Sequence, residues 1–574
     1  MKLLLVAINS KYIHSNMAVH SLRKYAINNI GENYCDSIAL NEYTINNSNA
    51  DILKGIYEEK ADVIAFSCYI WNVILVKEII KDIKKIQPNI HVWLGGPEVS
   101  YDAKEFLQSN TCVKGVMIGE GEETFKELLE YYLFKNLKLK EIKSLAFRED
   151  KNIYLTPLRP QMNMNDIPFP YDDLNEFENK IIYYESSRGC PFSCSYCLSS
   201  IDKNVRFRDI DLVKKELALF IDKKIAQVKF VDRTFNCSKK HSMEIWKFIK
   251  EKDNGITNFH FEISADIITN EEIELLSTLR PGQVQFEIGV QSTNLDTVKA
   301  IHRTMDFKLV SEVVQKLQKS NNIHIHLDVI AGLPNEGFES FQKTFNDVYL
   351  LRPEQLQLGF LKVLKGSLMK TESTLHEIVT SSKPPYEVLS TKWLNYDEIL
   401  CLKSVEDMVD TYYNSCQFTY SIMYLEHFFD NPMELYIELG NYYKKNKLDL
   451  ISHSRLRRYD ILLNFYREIC VKLNLGKEYY LVFEEILLFD LYLREKLKSR
   501  PDFIKKQNER TQNHVAFYKN RSKAYNHLEY FDFDIIRSAE TGQAIKKKIH
   551  VKFDYTERDI ITKNAKTEII SDRD

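Results

Sequence analysis

The feature that most constrains this chain is a group of three cysteines, Cys190, Cys194 and Cys197, spaced CxxxCxxC within Ser186-Ser187-Arg188-Gly189-Cys190-Pro191-Phe192-Ser193-Cys194-Ser195-Tyr196-Cys197. Ten cysteines in 574 residues are too few for a disulfide scaffold. The other seven (Cys35, Cys68, Cys112, Cys237, Cys401, Cys416 and Cys470) are scattered and read as ordinary reduced thiols. Thiolates at this spacing on a looping segment can converge on one metal centre. A closed structural zinc site takes four ligands. No further Cys or His lies nearby, since Cys237 is 40 residues further along. Three thiolates suit three irons of a cubane cluster, leaving the fourth iron open to a small-molecule ligand. Gly189 and Pro191 bend the loop, and the Tyr196 ring can pack beside the cluster or a bound base.

Composition narrows the remaining classes. Hydrophobic residues make up 44% of the chain, enough for sizeable cores and too many for a disordered protein. Lys and Arg (78) nearly balance Asp and Glu (81), for a net charge of −3, which argues against a general nucleic-acid or anionic-membrane surface. The best membrane-span candidate, Tyr479 to Leu493, is broken by Glu484, Glu485 and Asp490. The apolar start Met1–Ile8 has no small-residue cleavage site after it. The expectation is a cytoplasmic protein, in a reducing compartment that keeps its thiols available for metal.

The fold class expected is α/β in three regions. Over residues 1–135, apolar runs (Leu3–Ile8, Ser37–Leu40, Val63–Cys68, His91–Leu94, Gly115–Ile118) alternate with amphipathic helices (Val19–Ile27, Asp51–Glu58, Ile74–Ile86, Glu123–Tyr132). That alternation predicts a doubly wound parallel sheet, which binds ligands beyond the carboxyl ends of its strands. Gly95-Gly96-Pro97 and Gly119-Glu120-Gly121-Glu122 fall at two such ends, where glycine lets backbone approach a ligand. Neither loop matches GxxxxGK[ST] or GxGxxG, so nucleotide triphosphate and dinucleotide readings lose ground. Residues 136–180 read as an extended linker crowded by Pro157, Pro160, Pro168 and Pro170.

Residues 181–375 repeat the alternation, with six strands expected at Ile182–Glu185, Gln227–Val231, His260–Ile263, Gln283–Val290, His324–Ile330 and Leu356–Val363. Six strand–helix units suit a partial (β/α)6 barrel with its chemistry at the C-terminal strand ends. Residues 376–574 turn into long, aromatic-rich helical segments: Asp397–Tyr413, Ile422–Phe429, Met433–Lys444, Arg455–Val471 and Tyr479–Leu497. The basic stretch Lys496–Lys523 reads as a solvated face, Tyr530–Ile536 with Ile549–Tyr555 as a terminal hairpin, and the last dozen residues as frayed.

CxxxCxxC after the first strand of a partial barrel resembles the radical S-adenosylmethionine (SAM) superfamily. The resemblance implies a 4Fe-4S cluster on Cys190, Cys194 and Cys197 whose open iron binds SAM, and reductive cleavage of SAM to a 5′-deoxyadenosyl radical. It also implies SAM contacts from Tyr196, from Asp232 after the second strand, from Glu262 and Ser264 at the third, and from Glu287 and Gln291 along the fourth. Asp328–Glu336, with Ile330 and Gly332, is similar to the segment whose backbone holds adenine. A doubly wound domain ahead of such a barrel resembles the cobalamin (B12)-binding class of this family, in a subgroup with a helical C-terminal extension. That implies a Rossmann-like B12-binding sheet and cobalamin contacts from Ser67, Gly95, Gly96, Gly119, Glu120 and Gly121. The DxHxxG motif that supplies an axial histidine in other cobalamin proteins is absent; His14 and His20, in the first loop and helix, are no substitutes. Within this class cobalamin commonly binds without a protein histidine. An electron donor such as flavodoxin or ferredoxin is also implied; a substrate is not.

The leading expectation is a cobalamin-dependent radical SAM enzyme that methylates an unactivated carbon, with no side chain needed as a proton-transfer catalyst. A B12-free radical SAM enzyme performing hydrogen abstraction, rearrangement or another group transfer is the alternative. A noncatalytic iron–sulfur carrier or sensor is a third. A corrin-sized cavity above Gly95, Gly96 and Gly119, facing the barrel mouth, favours the first. The C-terminal region is expected to cover the barrel mouth or recruit substrate.

Overall fold

The computed structural model describes residues 1–497, 501 and 526–570. The chain divides into two compact units. One comprises Met1–Ile288, Asp296–Ser320 and Phe360–Lys392, and the other Gly289–Leu295, Asn321–Gly359 and Trp393–Asp574.

The first unit opens with seven strands: β1 (Leu3–Asn9), β2 (Ile38–Thr44), β3 (Val63–Ser67), β4 (His91–Gly95), β5 (Gly115–Met117), β6 (Leu145–Glu149) and β7 (Asn152–Leu155), in the order β2-β1-β3-β4-β5-β6-β7. Strands β1–β5 are parallel. Successive side chains of a strand point to opposite faces, and β1 shows what that does here. Leu4, Val6 and Ile8 pack with Ile52, Ile56, Val76 and Ile80 on one face, while Leu3, Leu5 and Ala7 pack with Val19, Phe125 and Leu128 on the other. A strand with both faces covered carries a continuous apolar run, which is why LLLVAI is legible as a central strand. Because β1 pairs with both β2 and β3, the topological switch falls between β1 and β3, where a ligand crevice opens.

The expected linker begins differently. β6 and β7 are an antiparallel hairpin that extends the parallel sheet through β5. Leu145, Ala146 and Phe147 are fully buried, and Asp150, with φ 53°, makes the turn. Three apolar residues were too short a run to stand out beside the prolines. Residues 156–163 carry no regular secondary structure.

Next come β8 (Ile182–Tyr184), the short antiparallel pair β9 (Ser187–Arg188) and β10 (Arg206–Phe207), then β11 (Gln227–Phe230), β12 (Asn258–Ile263), β13 (Val284–Gln291), β14 (Ile323–Ala331) and β15 (Gln355–Phe360). The barrel strands follow the order β8-β11-β12-β13-β14-β15, the succession a partial (β/α)6 barrel requires. Helices Ile210–Asp222, Lys239–Glu251 and Phe307–Gln318 of the first unit are amphipathic and bury one face each.

The second unit holds the helices Tyr396–Met408, Thr419–Glu426, Pro432–Lys445, Arg455–Lys472 and Lys477–Arg494. Its core is aromatic: Tyr412, Tyr424, Tyr436, Tyr459 and Tyr466 are fully buried. The buried carboxylate of Asp490 accepts from Tyr420 N (3.1 Å), Ser421 N (2.8 Å) and Ser421 Oγ (2.7 Å), capping helix Thr419–Glu426 from another helix. The terminal hairpin is longer than expected, Asn526–Phe533 against Lys546–Arg558. Ala565–Ile570, expected to fray, adds a third strand to it. Most of the basic stretch Lys496–Lys523 lies outside the described residues. Among the described residues no helix is long and apolar enough to cross a membrane.

Candidate functional site

The three cysteines sit on the loop between β9 and β10, shortly after the first barrel strand in the chain. Cys190 N donates to Asp202 O (2.9 Å), and Ser200 Oγ donates to the carbonyls of Cys194 (2.9 Å) and Cys197 (2.6 Å). Ser195 N donates to Ile301 O (2.9 Å), and Met369 N to Ser195 O (2.8 Å). The loop is therefore pinned from several elements while its three thiols stay out of any disulfide.

The surroundings suit a charged sulfur-rich group. Cys190 Sγ lies 3.5 Å from Thr234 Oγ1. The Arg303 guanidinium donates towards Cys194 Sγ (3.7 Å) and the Tyr196 hydroxyl (3.4 Å). Ser195 Oγ, between the cysteines, is buried with no hydrogen-bond partner among the described residues. A buried donor without an acceptor is costly unless a ligand supplies one, and sulfur atoms of a cluster would. Burial raises the Cys194 thiol, and Arg303 opposes that. Among the described residues no three His, Cys, Asp or Glu side chains converge as ligands of a single metal ion. A cubane, with one thiolate on each of three irons, is the group this donor set fits.

Two serines ahead of the loop explain Asp232. Its carboxylate accepts from Ser186 N (2.9 Å), Ser186 Oγ (2.6 Å) and Ser187 Oγ (2.6 Å), and it is fully buried. Burial raises its pKa to about 6 against those three donors. The side chain expected to contact SAM also braces the β8–β9 turn that launches the cysteine loop. Sequence position alone could not show this, because both roles need an acceptor at the end of β11.

Along the barrel, Lys229, His260 and Gln285 share one register layer, and Glu262 pairs with Glu287 one layer nearer the C-terminal end. Glu287 takes an ion pair from Lys229 (2.9 Å) and lies 3.1 Å from His260 Nε2. Burial would raise its pKa, but His260 and Lys229 bring it well below the usual carboxylate range. Ser264 is braced through Asn236, which accepts from Ser264 N (2.9 Å) and donates to Ser264 O (2.8 Å).

Gln291, Ile330 and Gly332 belong to the second unit. Gln291 has φ 72°, a conformation a non-glycine residue holds only when its surroundings force it, and its Oε1 is buried without a partner among the described residues. Ile330 lies in β14, with Gly332 following at φ 87°. Nearby in sequence, fully buried Glu336 accepts from Ser292 Oγ (2.6 Å) and Thr344 Oγ1 (2.8 Å) through Oε1, while Oε2 has no partner among the described residues. Burial raises its pKa to about 7.

A cavity of about 910 Å³ opens at the carboxyl edge of the N-terminal sheet, towards the upper end of small-molecule pockets. Ser67, Gly95, Gly96, Gly119, Glu120 and Gly121 all line it, and so do Leu198, Ser199 and Ile201 from the segment just after Cys197. The two glycine loops work differently. At Gly119 (φ 75°) an added Cβ would meet nothing within 4 Å, so it would project into open space. At Gly96 a Cβ would lie 2.5 Å from Cys68 O, so glycine there serves backbone packing. His14 and His20 do not line the cavity: His14 Nδ1 meets the Tyr183 hydroxyl (2.7 Å), and His20 pairs with Glu42 (2.8 Å).

Ion pairs tie the cavity wall to the cysteine loop. Arg188 of β9 bridges Glu120 (3.4 Å), Glu122 (2.9 Å) and Glu185 (2.8 Å), while Arg206 of β10 bridges Glu120 (2.5 Å) and Asp202 (2.8 Å). Burial alone would raise Glu122, but Arg188 brings it below its ordinary value, so it stays ionised. Arg233, also on the wall, has no acidic partner among the described residues. Arg188 and Arg206 flank the loop in sequence without signalling their partners, and only folding brings Arg303 to it.

Comparison with known proteins agrees with this layout. A B12 binding domain model matches residues 5–129, a radical SAM superfamily model residues 184–348, and a model described as protein of unknown function (DUF4080) residues 374–571. An uncharacterized methyltransferase of Pyrococcus horikoshii, PH0819, is 28% identical over 51% of this chain and 65% of its own length. The cobalamin-dependent radical SAM methyltransferase TokK of Streptomyces tokunonensis is 25% identical over 57% of this chain and 50% of its own. The chain thus spans about half to two thirds of these relatives. Among solved structures, the cobalamin-dependent SAM radical enzyme OxsB with aqua-cobalamin and SAM bound aligns over 85% of this chain and 83% of that one, with TM-score 0.58 and 14% identity. The methyltransferase TsrM of Kitasatospora setae, with cobalamin and a [4Fe-4S] cluster bound, covers 67% of this chain and 76% of its own, with TM-score 0.55 and 15% identity. At those identities the likeness is one of fold.

Proposed function

We propose that this chain, in which a B12-binding domain precedes a radical SAM domain, is a cobalamin-dependent radical SAM methyltransferase acting on an unactivated carbon. The observation that carries the reading is the 910 Å³ cavity, whose lining includes both the glycine loops of the N-terminal sheet and the residues just after Cys197. That arrangement supports cobalamin beside the cluster over a B12-free enzyme or an electron carrier. When bound, the cluster supplies the electron that cleaves SAM to a 5′-deoxyadenosyl radical, and cobalamin supplies the methyl group.

The chain's own residues hold and shield. Cys190, Cys194 and Cys197 would ligate the cluster, with Ser195, Thr234 and Arg303 around their sulfurs. Gly119 leaves room for the corrin, and Ser67, Gly95, Glu120 and Gly121 edge it. Arg188 and Arg206 lock Glu120 and Glu122 in place, which keeps the two cofactor sites in register. An orienting, water-excluding protein is what such cofactor chemistry needs. Tyr196, Asp232, Glu262, Ser264 and Glu287 are proposed to contact SAM. An external one-electron donor, of the flavodoxin or ferredoxin kind, completes the reaction in the cytoplasm.

The test is anaerobic purification and reconstitution with iron, sulfide and hydroxocobalamin, followed by cofactor analysis and assay of SAM cleavage. Stoichiometric cobalamin with reductant-dependent 5′-deoxyadenosine supports the reading. SAM cleavage by a chain that takes up no cobalamin would move it to the B12-free alternative.

A further inference from the structure

A second cavity, of about 460 Å³, lies apart from the glycine loops and the cysteine motif. Its walls come from two functional edges: Tyr101 and Asp102, just beyond β4, and Val363 to Lys370, just beyond β15. In both sheet types the carboxyl ends of strands are where ligands sit. Tyr101 is the bridge, since it lines this cavity on one side and the larger one on the other. Gly366 packs so closely on the Tyr101 ring that a Cβ would come within 2.4 Å of it, which fixes the partition.

The chemistry of the walls is polar and directional. Lys365 is already engaged by two carboxylates, 2.9 Å from Asp102 Oδ2 and 3.3 Å from buried Glu98, so it has no charge to spare for a ligand. Lys370 has no ion pair among the described residues. Ser381 and Ser382, on the turn leading to Tyr386, bring two hydroxyls to the same lining. Asp102 Oδ1 is buried with no donor among the described residues, so the same wall also offers an acceptor. One uncompensated ammonium with two hydroxyls suits an oxyanion, and the neighbouring acceptor suits a hydroxyl or amine on the same molecule.

We propose that this second cavity is the substrate chamber and that it holds a small polar molecule by its oxyanion group, a phosphate or a carboxylate, against Lys370, Ser381 and Ser382. This rests on the methyltransferase reading for its meaning, but the binding site is independent of the cofactors. The carbon to be modified then lies towards Tyr101, on the side shared with the larger cavity, and a lipid or a purely apolar chain is excluded.

The test uses the full chain reconstituted with iron, sulfide and cobalamin, with pyrophosphate and citrate as probes in equilibrium dialysis. Saturable binding of pyrophosphate but not citrate assigns a phosphate, and the reverse assigns a carboxylate. In either case Lys370→Gln and the double variant Ser381→Ala/Ser382→Ala should each weaken binding at least tenfold while iron and cobalamin contents stay at the wild-type level. Absence of saturable binding to both probes, or undiminished binding in Lys370→Gln, overturns the proposal. Missing cobalamin or SAM cleavage in the wild-type sample would count against the methyltransferase reading instead, and the dialysis on that sample still judges the cavity.

Discussion

Replacing Arg303 by Met should make the cluster harder to reduce. The guanidinium stands 3.7 Å from Cys194 Sγ, and its charge is fixed. At an effective dielectric of about 20, two unit charges at that separation interact by about 4 kcal/mol. An electron added to a cubane is spread over the whole cluster, so roughly half of this, about 2 kcal/mol, stabilises the reduced form. With about 59 mV per tenfold change for one electron, the midpoint should fall by on the order of 80 mV. The assay is a redox titration of the reconstituted chain followed by electron paramagnetic resonance, normalised to iron content. Arg303→Lys, which keeps the charge, should recover most of the difference. Tyr196→Phe, which removes the other group contacted by the guanidinium, should change the midpoint little. A midpoint in Arg303→Met indistinguishable from wild type at equal iron content would refute the assignment.

Further outcomes follow from the same geometry. Asp232→Ala leaves one backbone N–H and two hydroxyls without their acceptor; at about 1 kcal/mol or more each it should cost roughly 3 kcal/mol and lower iron incorporation, read by urea unfolding and iron analysis. Gly119→Leu should reduce cobalamin uptake several-fold while iron content is kept, because its side chain would project into the larger cavity. Burial raises Glu336 and Asp490 to about 7, so the folded chain keeps protons that the unfolded chain releases near pH 4. Their contribution is therefore fully present below pH 4 and is lost as pH rises towards 7, on the order of 3 kcal/mol for each group. The thermal midpoint of wild type should accordingly fall between pH 5 and about 8 relative to Glu336→Gln, in which the neutral amide removes the dependence; parallel profiles would contradict this.

Much of the molecule was legible in one dimension. A strand buried on both faces must be apolar throughout, so LLLVAI announced β1, and the helical periodicities between strands announced the winding. CxxxCxxC was legible for a similar reason: ligands of one cluster on one loop must be close in sequence. Gly119 was readable as a strand-end turn glycine, and the structure places it on the wall of the larger cavity with open space where a Cβ would be. The β6–β7 hairpin was not, because its buried run is three residues long and its pairing partner is β5, some thirty residues earlier.

What the sequence by itself determined is therefore local: the elements, their order, and the three thiols. Tertiary structure alone decided which charged groups face them. Arg303 lies more than a hundred residues beyond Cys194, and Glu120 meets Arg206 across 86 residues of chain. Asp232 shows the difference most clearly. An acceptor at a strand end can bind a ligand, close a turn or do both, and only the folded position of Ser186 and Ser187 shows that it braces the turn. Electrostatic and hydrogen-bond partners are set by distance in space, to which spacing along the chain is blind.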